Sequence, residues 1–501
     1  MPIVLAAYFL VPTRGLKNVW LLVASLFFYA WGEPVYVLLM IASILANWVF
    51  GLAVGARRFH EGRDATLKRA LLVLAVVFNV AVIGFFKYEG FVAENINALL
   101  GASVVPDLDL PLPIGISFYT LQALSYVIDV YRGEVDPQRN VLYLGMYIAC
   151  FPQLIAWPIV RYQTIQSQVV GRRETLAGFA GGMRLFVVGL AKKVLLANTV
   201  AILATKMLEM GGPAIGAAGA WAGLIAYTFQ IFFDFSGYSD MAIGLGRMMG
   251  FEYLRNFNYP YISKSITEFW RRWHISLSTF FRDYVYIPLG GSRCSKARHI
   301  ANIAIVWAVT GLWHGAAWNY VGWGIYYGAL LICEKYVWGS ALSRAPGVVR
   351  HLYTIAVFVF GWSFFWITDP AQLVSYWQAL VGQFGLTGTS SFWELTAWEY
   401  WPVFLVCAVA STPVCPFVKE RFLAWVEDRS PVRIREEGIA STRRLDTPAL
   451  CTFDAQPATS AKRAAFEVAA VAYDVALLIL LFVSCASVVS GSFNPFIYFQ
   501  F

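Results

Sequence analysis

Charge is what this chain has least of. Only 14% of its 501 residues are Asp, Glu, Lys or Arg, against about a quarter in a soluble globular protein, so a water-soluble domain of ordinary make is excluded. Histidine is scarcer still, with five in the whole chain, few enough to weigh one by one. The seven cysteines (Cys150, Cys294, Cys333, Cys407, Cys415, Cys451 and Cys485) form no CxxC pair and no tight cluster. They read as small buried hydrophobes, not as a disulfide framework or a zinc site. No P-loop, dinucleotide fingerprint or HExxH motif occurs, and no internal repeat is visible. The net charge of +8 is a modest excess for this length; it suits cytoplasmic loops facing anionic headgroups better than nucleic acid.

What fills the chain instead is apolar side chain, 59% by count. Runs of some 18 or more nearly uncharged residues recur, each long enough to span a bilayer core as a helix. The fold class is therefore an all-α polytopic membrane protein, with roughly ten to thirteen membrane-embedded segments, re-entrant and interfacial ones included. Candidate spans are Trp20–Tyr29 running into Val35–Phe50, Ala70–Phe86, Leu112–Val130, Leu142–Val160 and Phe179–Met207, the last interrupted by Arg184, Lys192 and Lys193. Further ones are Ala217–Phe235, Ile300–Val321, Leu352–Ile367, Val403–Val418 and Phe466–Ser490. The short run Ile3–Val11 reads as a membrane segment or a remnant of one, since no small-residue cleavage site follows it.

Loop charge sets the expected orientation. Arg57–Arg69 holds five Lys/Arg against two acids, which places it in the cytoplasm. Glu89 to Asp109 holds only acids and faces outside. Alternation then fails, because Arg132–Arg139 and the Arg161, Arg172, Arg173 group flank a single apolar run. Re-entrance of Leu142–Val160 resolves this. Pro152 and Pro158 interrupt it, and broken helices at depth are tolerated inside protein. The segment 419–463, with nine Lys/Arg against seven Asp/Glu, reads as a charged cytoplasmic loop with an interfacial helix at its start. Beyond it, 466–501 is a final span with an aromatic tail suited to an interface.

Within the apolar stretch Ile300 to Leu331, His314 is the only titratable side chain apart from tyrosine. A histidine in hydrocarbon is a functional-site hypothesis by default, and imidazole titrates nearest to physiological pH. General base or proton relay outweighs a structural hydrogen bond between helices. A metal site lacks a third ligand, with His274 the only companion histidine. Gly311 and Gly315 beside it allow a substrate or a neighbouring helix to come close. Trp307, Trp313, Trp318 and Trp323 read as packing and belt residues. His60, His299 and His351 lie in charged stretches and receive no role.

The polar core 234–323 surrounds this histidine. Its stretch 265–284 reads as one amphipathic helix: Phe269, Trp273, Leu277, Phe280 and Tyr284 form an apolar face, and Ser265 with Glu268 has capping-box spacing. On the other face Arg271, His274, Ser278 and Arg282 recur at helical steps. Two readings fit them, an interface-lying helix rich in Arg and Trp, or arginines flanking a histidine to hold an anionic ligand. Asp283 either orients a histidine or pairs with Arg282. A proton-coupled transporter would also use an intramembrane His with Asp and Arg neighbours, though transporter-like repeats are absent.

With these residues in hand the chain resembles the membrane-bound O-acyltransferase family, in the branch that acetylates bacterial polysaccharides. The resemblance rests on Phe27-Phe-Tyr-Ala-Trp-Gly32, Pro113-Ile-Gly-Ile-Ser-Phe-Tyr119, Phe151-Pro-Gln-Leu-Ile-Ala156 and Asp234-Phe-Ser-Gly-Tyr-Ser-Asp240. Phe269-Trp-Arg-Arg-Trp-His274, Arg282-Asp-Tyr-Val-Tyr-Ile-Pro288 and Leu312-Trp-His-Gly315 complete it. It implies a single domain over 1–501, tilted helices around a central tunnel, and two catalytic histidines that fall on His314 and His274. It implies no bound cofactor or metal, acetyl-CoA as a cytoplasmic acyl donor, and the bacterial inner membrane as the location. A separate periplasmic protein would accept the acetyl group and pass it to an exopolysaccharide, alginate foremost. Cellulose or peptidoglycan acetylation and D-alanylation of teichoic acid are the alternatives within the family. Trp157 stands where the family usually has glycine, and Met1 matches a point several residues inside the usual start.

The expected chemistry is acyl transfer from a thioester. A hydroxyl attacks the carbonyl while neutral His314 takes its proton, help worth about 10²–10⁴-fold. Arg271 and Arg282, with His274, would position the donor. No G-x-S-x-G motif is present, so direct transfer is expected over a covalent acyl-enzyme.

Overall fold

A computed structural model describes residues 1–56, 64–154, 158–390, 398–428 and 457–491. Trp157, Cys451, His60, most of the 419–463 segment and the aromatic tail lie outside the described residues. The chain forms two compact units. One is Met1–Phe179 with Leu245–Tyr253, the other Ala180–Gly244 with Leu254–Phe501.

The first unit begins with α1 (Pro2–Leu10), α2 (Arg14–Gly32), α3 (Tyr36–Val54) and α4 (Ala65–Leu100). It continues with α5 (Ile116–Arg132), α6 (Val141–Ala149), α7 (Phe151–Leu154) and α8 (Tyr162–Gly171). At Cys150 the backbone leaves helical geometry (φ −55°, ψ 113°) and breaks the expected Leu142–Val160 run into the nine-residue α6 and the four-residue α7, so no continuous span forms there. Polar side chains in an apolar setting must find partners, and two sites in this unit do so. Asn47 of α3 and Asn79 of α4 exchange amide hydrogen bonds of 3.1 and 2.8 Å. Glu174 accepts from the Tyr8 hydroxyl at 2.5 Å, from Arg14 Nη2 at 2.9 Å and from Lys17 at 3.3 Å. Partial burial works to raise the Glu174 pKa, but the hydrogen bonds from Arg14 and Tyr8 outweigh it and hold the carboxyl well below its usual range.

Next come α9 (Leu176–Ala191), a π-helical turn Lys192–Ala197, α10 (Asn198–Met210) and α11 (Gly212–Met248). The second unit adds α12 (Ile266–Arg272), α13 (Ile275–Phe281), α14 (Lys296–His314), α15 (Trp318–Cys333) and α16 (Gly339–Arg344). It ends with α17 (Gly347–Trp366), α18 (Pro370–Leu380), α19 (Trp401–Ala410), α20 (Val414–Val426) and α21 (Ser460–Ser490). The three cations that interrupt the α9 region are all paired across helices. Arg184 meets Asp474 of α21 in a bidentate bridge of 2.7 and 2.7 Å. Lys192 meets Asp240 of α11 at 2.6 Å, and Lys193 pairs with the fully buried Asp234 of the same helix. Glycine lets those helices close: a Cβ at Gly189 would lie 2.5 Å from the Gly237 carbonyl oxygen, and one at Gly244 2.6 Å from that of Gly182.

Among the described residues six helices are long and apolar enough to cross a membrane: α3, α4, Leu176–Met210, α11, α17 and α21. The α19–α20 pair, bent by 55°, would make a seventh. Together with shorter embedded helices this is a multi-pass, all-α membrane protein. Several sequence expectations change in detail. The runs Trp20–Tyr29 and Val35–Phe50 fall on separate helices, α2 and α3. Ile300–Val321 is cut after His314. The helix expected at the start of 419–463 is the continuation of α20, which begins earlier, at Val414. Of the six described cysteines, all free thiols, only Cys150 and Cys407 are buried.

The Lys193–Asp234 pair yields a stability prediction. Asp234→Asn leaves the lysine without its carboxylate and should cost roughly 3–5 kcal/mol, read as a lower melting temperature in detergent and less protein in the membrane. Replacing both residues, Lys193→Met with Asp234→Leu, should recover most of that loss. A double variant as unstable as the single one would show that the charge pair is not the cause.

Candidate functional site

The stretch 265–284 is not one helix. α12 ends at Arg272 and α13 begins at Ile275, and of the two residues between them, Trp273 and His274, the second adopts a left-handed backbone at φ 52°, ψ 52°. Non-glycine residues at positive φ are uncommon. This one is stabilised because the imidazole acts as N-cap, its Nδ1 accepting from Leu277 N at 3.4 Å. An Nδ1 that accepts leaves the proton of neutral imidazole on Nε2. The apolar face predicted from the spacing holds across the break, with Phe269, Trp273, Leu277 and Phe280 all buried.

Two carboxylates fix the start of α12. Ser265 Oγ accepts from Glu268 N at 3.0 Å, and Lys264 N donates to Glu268 at 2.9 Å. Glu334, buried at the end of α15, accepts from Ile266 N at 2.6 Å, Thr267 N at 2.9 Å and the Thr267 hydroxyl at 2.8 Å. A helix N-terminus favours negative charge, so α12 is tied at its first turn to α15.

His314 is the last residue of α14. Trp313, Trp323 and Phe365 stand edge-on around its ring at centroid distances of 5.0, 4.9 and 5.1 Å. Glycines bring α15 close enough for this: a Cβ at Gly311 would lie 2.5 Å from the Tyr320 oxygen, and one at Gly324 2.5 Å from that of Trp307. At Gly315 a Cβ would collide with the Tyr320 ring. The close approach expected at Gly311 and Gly315 is thus that of a neighbouring helix.

α12, α13, α14 and α15 enclose a cavity of about 240 Å³. His314, His274, Arg271, Arg282 and Ser278 all line it. From α14 it takes Val306, Trp307, Thr310 and His314, one helical face. Eight residues at 1.5 Å each make this an elongated slot of roughly 12 Å. Its histidine end is apolar and aromatic, and its rim carries the exposed Arg271 and Arg282. The two arginines differ. Arg282 is bound bidentately by its neighbour Asp283 at 2.6 and 3.1 Å, while Arg271 makes no hydrogen bond or ion pair among the described residues. Asp283 therefore pairs with Arg282 and does not line the slot.

Sequence reasoning missed Trp270, Trp307, Trp323, Thr310 and Tyr286 as lining residues. The i, i+4 and i+8 spacing of Val306, Thr310 and His314 could have pointed to the face they share. His299 and His351 also differ from their expected setting. His299 is buried in the first turn of α14, and His351, on α17, lies 3.2 Å from the Ser263 carbonyl. The hydroxyl protons of the slot are spent internally: Thr310 donates to Val306 O at 2.7 Å, Ser278 to Trp270 O at 3.1 Å and Thr267 to Glu334. No group of three or more His, Cys, Asp or Glu is placed to hold a metal ion among the described residues. The slot thus offers two imidazoles, one free cation and apolar walls, a setting for proton transfer beside an anionic ligand.

Comparison with known proteins gives this geometry a context. Residues 138–377, the whole slot included, match the sequence profile of the membrane-bound O-acyltransferase family. The chain is 36% identical to the "probable alginate O-acetylase AlgI" of Pseudomonas aeruginosa, over 100% of this chain and 98% of that one. It is 33% identical to the peptidoglycan O-acetyltransferase of Helicobacter pylori, over 78% of this chain and 79% of that one. A teichoic acid D-alanyltransferase of Bacillus subtilis is 30% identical over 50% of this chain and 71% of its own length.

The left-handed cap predicts how His274 responds to substitution. Asparagine tolerates positive φ and is a favoured N-cap, so His274→Asn should melt within a few degrees of wild type. His274→Ala loses the cap, at a cost of about 0.5–2 kcal/mol. Thermal unfolding in detergent checks the order, and an alanine variant as stable as asparagine would refute the capping role.

Proposed function

The chain belongs to the membrane-bound O-acyltransferase family and is a multi-pass membrane acyltransferase; from that premise we propose that it moves acetyl from acetyl-CoA to a hydroxyl acceptor. The acceptor belongs to a separate periplasmic protein that serves O-acetylation of an exopolysaccharide, alginate foremost, at a bacterial inner membrane. The single observation that carries this reading is that His314, His274 and the unpaired Arg271 meet on one narrow apolar slot. The full-length likeness to the alginate relative favours that polymer, and the likeness to the peptidoglycan enzyme supports the alternative acceptor.

In this mechanism the donor's phosphates lie at the rim against Arg271, and its thioester reaches along the slot to the histidines. His314 takes the proton of the attacking hydroxyl as the new C–O bond forms. The C–S bond then breaks, and the same proton passes from His314 to the leaving sulfur, releasing CoA as a thiol. His274, with its proton on Nε2, suits the other task, donating to the carbonyl oxygen as it gains negative charge. Such a donor is worth about 10²–10³-fold. The aromatic box around His314 keeps bulk water from competing for the acetyl group.

His314→Ala should lower acetylation of the polymer about 10²–10⁴-fold while the protein accumulates normally. Measurement of polymer-bound acetate beside membrane protein level checks this, and wild-type acetylation in that variant would remove His314 from the chemistry. Arg271→Ala should raise KM for acetyl-CoA more than Arg282→Ala does, because Asp283 already neutralises Arg282. Equal effects in thiol-release kinetics would contradict that ranking.

A further inference from the structure

Tyr286 lines the slot among the residues of its rim, and its hydroxyl is held from behind. Its Oη lies 2.7 Å from His299 Nε2, and the other nitrogen of that ring, Nδ1, lies 2.5 Å from Tyr336 Oη. His299 is only 4% exposed. The three side chains come from three elements: the π-helical turn Arg282–Tyr286, the first turn of α14, and the π-helical turn Glu334–Trp338. π-turns insert an extra residue into a helix and recur at functional sites. Both belong to the site already described. The first carries Arg282; the second carries Glu334, which anchors α12. Lys296 Nζ adds to the assembly, 5.0 Å from the centroid of the Tyr336 ring.

A neutral imidazole has one N–H and one lone pair. Between two phenols it therefore donates to one and accepts from the other, which fixes both tyrosines in direction as well as distance. Burial, and after it the charge of Lys335, holds the His299 pKa below its ordinary value, in keeping with a neutral ring. A histidine that merely stapled two turns together would affect the whole site alike. Here the tethered ring is a wall of the slot near its charged rim, and His299 stands at the opposite end of α14 from His314.

We propose that His299, acting through the Tyr286 hydroxyl, positions the anionic end of the acyl donor at the rim of the slot beside Arg271. This rests on the slot being the acyl-CoA site. His299 is a positioning residue: it touches no reacting atom, so its loss weakens donor binding and leaves the chemistry at His314 intact.

The test uses the purified full chain in detergent or nanodiscs, with coenzyme A as the binding probe and thiol release from acetyl-CoA as the rate. Tyr286→Phe and His299→Leu should each weaken CoA binding about tenfold, with kcat at saturating acetyl-CoA within about twofold of wild type. The double variant should bind no more weakly than Tyr286→Phe alone, because the bond to His299 is already lost with that oxygen. His299→Gln, which can still donate and accept, should restore most of the affinity. Should His299→Leu fail to accumulate, Tyr286→Phe, which deletes only an oxygen atom, carries the test. Unchanged CoA affinity in Tyr286→Phe overturns the proposal, as do losses of kcat and melting temperature with KM unaltered. Wild-type protein that neither binds CoA nor releases thiol overturns the donor reading itself, a result distinct from a wild type that binds while the variants bind equally well.

Discussion

The contact on which the site depends is the close passage of α14 and α15. Gly311 and Gly324 have no side chains to hold the backbones apart, and a Cβ at either would lie 2.5 Å from a carbonyl oxygen of the partner helix. That spacing sets Trp323 edge-on to His314 and seals the histidine end of the slot. It also brings the end of α15 to where Glu334 can cap α12. The position of His274 then follows from α12, since the left-handed turn begins where that helix stops. In lipid, helices gain little from the hydrophobic effect on meeting one another, and small residues that permit close packing take over that role.

The sequence carried much of this and concealed the rest for physical reasons. The fold class was plain, because apolar runs long enough to span a bilayer can hardly mean anything else. His314 was conspicuous because nothing else near it titrates, and His274 and Arg271 because they recur at helical steps. The break at Trp273–His274 was not visible. Periodicity survives a turn that re-enters at nearly the same phase, and the cap that stabilises it is made by a histidine, not by one of the usual capping residues. Trp307 and Trp323 read as packing residues, and they do pack, against Trp270 and each other; that they also line the cavity depends on which helix faces them, and local spacing does not encode that. His299 looked like a member of a charged stretch. Burial came from Tyr286 and Tyr336, neither of which its own neighbourhood announces.

Charge in the body of this protein obeys a simple rule. Arg184, Lys192 and Lys193 interrupt an otherwise apolar helix, and each ends on an aspartate from another helix. Such residues are costly in hydrocarbon unless paired, so they select one arrangement of α9, α11 and α21 over its rotated or shifted alternatives. Arg271 breaks the pattern. It has no carboxylate partner among the described residues, and it lines the slot, where an anion from outside would complete the pairing.

The internal engagement of the Thr267, Ser278 and Thr310 hydroxyls has a kinetic meaning. An enzyme with a free hydroxyl beside its base can store the acyl group on itself and wait for the second substrate. With these three protons committed to protein acceptors and the Tyr286 hydroxyl held against His299, the slot leaves the acetyl group of the proposed donor no uncommitted hydroxyl to rest on. Under the proposed function, donor and acceptor would then meet in a ternary complex, with neither a burst of thiol nor ping-pong behaviour. Under the acetyl transfer proposed above, supply of acceptor then sets the rate at which the donor is consumed.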